Sequence, residues 1–186
     1  PPELAALPRP RIGYVGLLSH FLDFEVLETL RRARRGGTLV LIGPGSPATD
    51  ADVRALAARD AEAVLGPRPY AELLAWMQGL DVVVIPFRAN DPHVRGINPN
   101  KVYQYLASGL PVITTPVLDL APDPPRLAFA GDPAAWRAAL DAVLDAKPAP
   151  AACRELARGH DWDALAARMV ATLEERLDAP RPAGAA

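Results

Sequence analysis

Six short apolar runs punctuate this chain: "RIGYVG", "TLVLIG", "EAVLG", "DVVVIP", "LPVITT" and "RLAFAG". Most stop at glycine or proline, and segments of helical period separate them. A strand with no polar side must be covered on both faces. Alternation of such strands with helices is the pattern of a parallel sheet with helices on either side. The pattern predicts an α/β, doubly wound, Rossmann-like parallel sheet of about six strands, near residues 11–16, 38–42, 62–65, 81–85, 111–114 and 127–130.

The connecting segments carry helix signals. Asp23 is placed to cap "DFEVLETLRRARR", and helices are expected over Asp50–Arg59 and Tyr70–Met77. "DWDALAARMVATLEERL" is the last and longest helix, about Asp161 to Leu177. "PPELAALPRP" reads as a linker over residues 1–10, with no part in the core, and "APRPAGAA" as a disordered tail over residues 179–186. One domain is expected over residues 11–178. The chain opens without methionine or a signal-peptide pattern, which reads as a piece of a longer protein.

Composition excludes several classes. Net charge is −2, which gives no general pull toward nucleic acid. No apolar run approaches the roughly 20 residues of a membrane-spanning helix. Cys153 is the single cysteine, so an internal disulfide framework is excluded and a reducing, cytoplasmic setting fits. Basic residues are almost all arginine; Lys101 and Lys147 are the only lysines.

In doubly wound sheets, ligands bind beyond the carboxyl ends of the strands. That directs attention to the loops after Gly16, Gly43, Gly66, Pro86 and Thr115. In "NPNKVYQYLASGLPVITT", Asn98 is expected as N-cap, with Pro99 in the first turn. Lys101 then sits where the helix dipole disfavours a cation, unless an anion binds there. Gln104, three residues on, shares its face. On spacing alone, a surface lysine and a solvated glutamine explain the pair equally well. "IGPGS", with Gly43 and Gly45, allows close backbone approach but matches no phosphate fingerprint. His20, His93 and His160 lack ligand spacing and are expected to face solvent or cap, so no metal is expected. Asp50 and Asp52 read as helix-start residues, and Trp76, Trp136 and Trp162 as packing residues.

Taken in order, "RIGYVGLLSHFLDFEVLETL", "TLVLIGPGS", "AVLGPRPYAELLAWMQGLDVVVIPF", "INPNKVYQYLASGLPVITTP" and "DWDALAARMVATLEERL" resemble the C-terminal, donor-binding half of GT-B-fold glycosyltransferases of the group 1 (family 4) type. The similarity runs from Arg11 to Leu177, and "NPNKVYQYLASGLPV" is its most specific part. The resemblance implies a hexose-type transferase of polysaccharide biosynthesis whose substrate is a nucleotide-diphosphate sugar, with no cofactor or metal. Gly16, Asn98, Asn100, Lys101 and Val102 would meet the diphosphate, Gln104 the ribose, and Gly66, Pro67 and Arg68 the base. Gly43, Gly45 and Arg88 would complete the donor loops. The acceptor and the catalytic base would come from an N-terminal domain outside this chain, which would also make any peripheral membrane contact. Alone, the chain would bind a donor without completing transfer. In two-domain relatives the last helix crosses toward that domain, so Leu165, Met169 and Leu173 are expected to form an apolar strip without a partner here.

Two features depart from the family pattern. Gln104 stands where a glutamate is usual, so a charge-assisted bond to ribose is lost; the Lys-x-x-Gln form resembles that of xanthan-type glucuronosyltransferases. "GLLSHFLDF" lacks the Arg and Lys pair that many members carry after the first strand, leaving Arg88 or Arg95 as further phosphate cations. A GT-B-type nucleotide-sugar epimerase and a non-catalytic partner-binding module remain as alternatives.

Overall fold

The computed structural model describes residues 1–59, 64–117, 120–158 and 160–178. Strands β1 (Arg11–Val15), β2 (Thr38–Ile42), β3 (Val64–Gly66), β4 (Val82–Ile85), β5 (Val112–Thr114) and β6 (Leu127–Phe129) form one sheet. Its order is β3-β2-β1-β4-β5-β6, and every pairing is parallel. The doubly wound expectation therefore holds, with strand ends within one or two residues of those read from sequence. Residues 62 and 63 of the third expected strand, and the tail from 179, lie outside the described residues. β1, β2, β4 and β5 are buried at every position, which is why their sequences show no alternation.

Between strands run α2 (Phe24–Ala33), α3 (Asp50–Arg59), α4 (Leu73–Gln78), α5 (Pro92–Arg95) and α6 (Lys101–Ala107). After β6 come α7 (Pro133–Ala146), α8 (Pro150–Ala157) and α9 (Trp162–Asp178). Right-handed crossovers place α2 and α3 on one face and α4 and α6 on the other. α7 then packs on α2, and α8 on α6. Asp23 caps α2 as expected, its carboxylate accepting from the backbone N–H of Glu25 and Val26. The helix expected over Tyr70–Met77 divides into a 3₁₀ turn, Tyr70–Glu72, and α4.

Three expectations need correction. The first concerns residues 1–10, read as a linker. They include a short helix, α1 (Pro2–Ala5), and Leu4 and Leu7 enter the core. The cause is Arg11, whose buried guanidinium donates to the carbonyls of Ala5, Leu7 and Gly79. Tying three carbonyls to one buried cation holds the segment against the sheet. The second concerns Asn98, which does not cap α6. The cap position is Asn100, in helical conformation without a side-chain cap bond, while Asn98 Nδ2 donates to the Tyr103 hydroxyl. The third concerns Trp162, which is 74 % exposed at the head of α9, whereas Trp76 and Trp136 are buried.

Candidate functional site

Strands β1 and β4 are neighbours in the sheet but successive strands leave them in opposite directions, so a crevice opens beyond their carboxyl ends. The β1–β4 ladder ends at the Gly13–Val83 pair, two residues before β1 stops. Beside it, beyond the ends of β1 and β2 and between α4 and α6, lies a cleft of about 730 Å³, within the size range of small-molecule sites. Its floor is Val15, Gly16, Ile42 and Gly43 at the ends of β1 and β2. α4 and its preceding turn form one wall, and Lys101, Gln104, Tyr105 and Ser108 of α6 form the other.

Backbone hydrogen bonds knit the floor together. Gly16 N–H donates to Ile42 O at 2.8 Å, and Gly43 N–H donates to Gly66 O at 2.9 Å. Gly16 and Gly43 have φ of +148° and +147°, a region that side chains rarely adopt. Space is restricted too: a β-carbon on Gly16 would come within 2.1 Å of Lys101 Nζ. Glycine after β1 is thus what lets the ammonium lie against the backbone.

Lys101 Nζ donates to Val15 O at 3.2 Å and stands 5.8 Å from the centre of the Tyr14 ring. No carboxylate partners it among the described residues. Burial holds its pKa below the ordinary lysine value. One turn further along α6, the Tyr105 hydroxyl donates to the same carbonyl at 2.7 Å and accepts from Val15 N–H at 3.0 Å. Burial, reinforced by Tyr14, pushes the Tyr105 phenol far up, so it keeps its proton. Gln104 lines the cleft with its side chain exposed and without a hydrogen bond among the described residues. On the opposite wall the Arg68 guanidinium lies 4.5 Å from the centre of the Trp76 ring, and Tyr70 is 83 % exposed beside it. Among the described residues, the cleft lining includes no aspartate, glutamate or histidine.

Gly16, Gly43, Arg68, Lys101 and Gln104 are therefore brought together, as the sequence reading grouped them. The others are not part of the lining. Gly66 and Pro67 sit one layer back, next to Arg68, with Gly66 O taken by Gly43 N–H. Gly45 lies behind Gly43, toward Asp50. Val102 is fully buried and its N–H is used by Pro99 O, so it offers nothing to a ligand in this structure. Asn98 and Asn100 precede α6, exposed and outside the lining. Arg88 Nε is held by Leu22 O and Arg95 Nε by Ala89 O, both away from the cleft. His20 and His93 flank Phe21, with ring centres 4.1 and 4.9 Å from it. Among the described residues no group of three or more His, Cys, Asp or Glu could hold a metal. Tyr105, Tyr70, Leu74 and Met77 were not singled out from sequence; they reach the cleft only because the sheet topology turns α4 and α6 toward each other.

A family model described as "Glycosyl transferases group 1" matches residues 9–146. The chain belongs to this family. TuaH of Bacillus subtilis (strain 168), a candidate teichuronic acid biosynthesis glycosyltransferase, is 25 % identical over 104 residues, 56 % of this chain and 26 % of that protein. Among solved structures, the avilamycin A biosynthesis glycosyltransferase AviGT4 superposes with a TM-score of 0.58 at 19 % identity, covering 91 % of this chain and 52 % of the other. Anabaena HepE, solved in complex with UDP, gives a TM-score of 0.66 at 16 % identity, covering 89 % and 49 %. The chain thus spans about a quarter of its curated relative and half of these two structures. Its fold fits the C-terminal domain of a GT-B-fold member of the group.

Proposed function

We propose that the cleft binds a nucleotide-diphosphate sugar, and that the chain serves as the donor half of a transferase moving a hexose-type sugar to an acceptor bound elsewhere. The observation that carries this is Lys101: a partly desolvated ammonium, set against a glycine at the cleft floor, with no carboxylate partner among the described residues. An unpaired cation in such a place is expensive unless an anion completes it. The diphosphate lies on Lys101 and the Gly16–Gly43 floor. Gln104 pairs with the ribose hydroxyls, and the base lies toward Gly66, Pro67 and Arg68. Lys101 then also meets the charge that develops on the leaving diphosphate, the electrostatic role a preorganised cation performs best. Binding needs no divalent metal. The described residues of the lining offer no acidic or histidine side chain, which favours a donor platform over an epimerase site. HepE and the pneumococcal O-GlcNAc transferase GtfA, solved with UDP, are relatives in fold whose contents agree with this reading.

Calorimetric titration of UDP, GDP, uridine and guanosine tests it. One diphosphate binds more tightly than its nucleoside, and EDTA leaves the affinity unchanged. Lys101→Ala weakens diphosphate binding about 10- to 100-fold, as loss of a charge-assisted hydrogen bond requires, and leaves nucleoside binding alone. Equal affinities for diphosphate and nucleoside in the wild type would sink the assignment.

A further inference from the structure

The way β1 ends is unusual. In a parallel sheet, alternate residues direct N–H and C=O to one neighbour and then the other. Gly16 turns to β2, donating to Ile42 O, so Val15 turns toward β4. Yet the β1–β4 ladder stops at Gly13–Val83: in continued register the N–H reaching Val15 O would be that of residue 86, which is proline and has none, while Ile85 faces β5, its carbonyl accepting from Thr115 N–H. Both polar groups of Val15 are buried without a strand partner. Tyr105 supplies one for each: its hydroxyl accepts from Val15 N–H and donates to Val15 O. Lys101, four residues earlier on the same helix face, donates to that same oxygen.

The geometry points to Tyr105 as a positioning residue for the diphosphate: its hydroxyl replaces the missing rung of the sheet and fixes the end of β1 against α6, so that Gly16 and the Lys101 ammonium face one anion. This rests on the donor reading above. Tyr105 is buried and its hydroxyl is engaged by both polar groups of Val15, so it acts through Val15, Gly16 and Lys101. The remaining wall beside Lys101 is Tyr14, whose hydroxyl is spent on Leu17 O. No other side chain among the described residues bonds Val15 O, so removing the Tyr105 hydroxyl leaves Lys101 as the one side-chain donor there and strands Val15 N–H.

Tyr105→Phe keeps the ring and removes only the hydroxyl. Diphosphate affinity is expected to fall about tenfold while nucleoside affinity is retained, so the ratio of the two shrinks. If the tyrosine acts through the lysine, the double variant Lys101→Ala/Tyr105→Phe loses little more than Lys101→Ala alone. The two lysines give a second reading that needs no ligand. With ¹³C-labelled lysine, each ε-methylene gives its own NMR signal, and the Lys101 signal is followed in wild type and variant. In Tyr105→Phe the Lys101 titration midpoint moves up, because the ammonium gains the carbonyl and water reaches it. Should Tyr105→Phe not fold, amide exchange of wild-type Val15 decides: protection like that of Gly13 supports the hydroxyl acceptor, and rapid exchange overturns it. A wild type that binds neither diphosphate overturns both readings. A wild type that favours the diphosphate, with an unchanged ratio and an unmoved Lys101 midpoint in Tyr105→Phe, leaves the donor reading standing and removes Tyr105 from it.

Discussion

Gly43 lies so close to Gly16 that a β-carbon on it would stand 1.9 Å from the Gly16 carbonyl oxygen. The clash is with backbone, and no rotamer can relieve it. Gly43 also has φ of +147°. Gly43→Ala therefore meets strained backbone and a steric overlap at once, and is expected to cost roughly 2–4 kcal/mol of folding stability. Urea unfolding gives that figure. Because relief requires the floor to spread, diphosphate affinity falls further in the same variant. Alanine at Gly36 is the control: φ there is also positive, but nothing stands within 4 Å of the β-carbon. It is expected to cost less and to leave ligand affinity unchanged. Equal costs at both positions would show that the approach of the two loops is not what demands glycine.

The lowered pKa of Lys101 has a pH consequence whose sign can be worked out. Its cause is burial, which penalises the ammonium. Between the lowered folded value and the ordinary unfolded one, the folded chain binds fewer protons than the unfolded chain. The contribution of this group to stability therefore rises with pH across that window, and is lost as pH falls through the folded value. A bound diphosphate reverses the penalty by favouring the charged form, so its binding takes up a proton in the same window. Titration of diphosphate in alkaline buffers of different ionisation enthalpy should register that uptake. Lys101→Ala should abolish it. Diphosphate affinity in the wild type should decline at lower pH than the titration of an ordinary lysine would produce.

What could be read from the sequence divides by the range of the interactions involved. β2 and β4 were legible because strands buried on both faces are written as unbroken apolar runs, "TLVLI" and "VVVI". Lys101 and Gln104 were legible because a helix start has local rules, and a lysine there violates one of them. The cap itself was misplaced because "NPN" offers asparagine at two positions, and local rules do not choose between them. Tyr105 could not be found this way. Its chemistry arises from apposition to Val15, 90 residues distant, where a ladder happens to end. α1 was missed for the same reason. Four helical residues between prolines have no periodicity to detect, and what fixes them is the Arg11 guanidinium reaching back across the turn.

That last correction is testable. Leu4 is fully buried, and its side chain fills the space over Gly79, where a β-carbon would come within 2.4 Å of Leu4 Cδ2. Leu4→Ala should cost about 2–5 kcal/mol, the range for a large-to-small change in a packed core. The neighbouring exposed Glu3→Ala should change stability by less than about 0.5 kcal/mol. Comparable, small effects from both substitutions would return residues 1–10 to the status of a linker.

α9 makes the opposite prediction. Met169, Val170, Leu173 and Leu177 are 66, 53, 60 and 83 % exposed, and Leu165 is half-buried. The helix keeps an apolar strip that this fold does not cover, as expected for Met169 and Leu173. Exposed side chains have gained little burial on folding, so replacing them should forfeit little. Met169→Lys and Leu173→Lys are each expected to change stability by no more than about 0.5 kcal/mol. Leu140→Ala in α7, where the side chain is fully buried, should cost about 2–5 kcal/mol. The lysine pair has a second expected effect. Contiguous apolar surface in water favours self-association. Sedimentation at high protein concentration should therefore show less association for the double variant than for the wild type. A loss above about 1 kcal/mol for either lysine substitution, measured by thermal unfolding at low concentration where association is absent, would mean that the strip is packed within this domain after all.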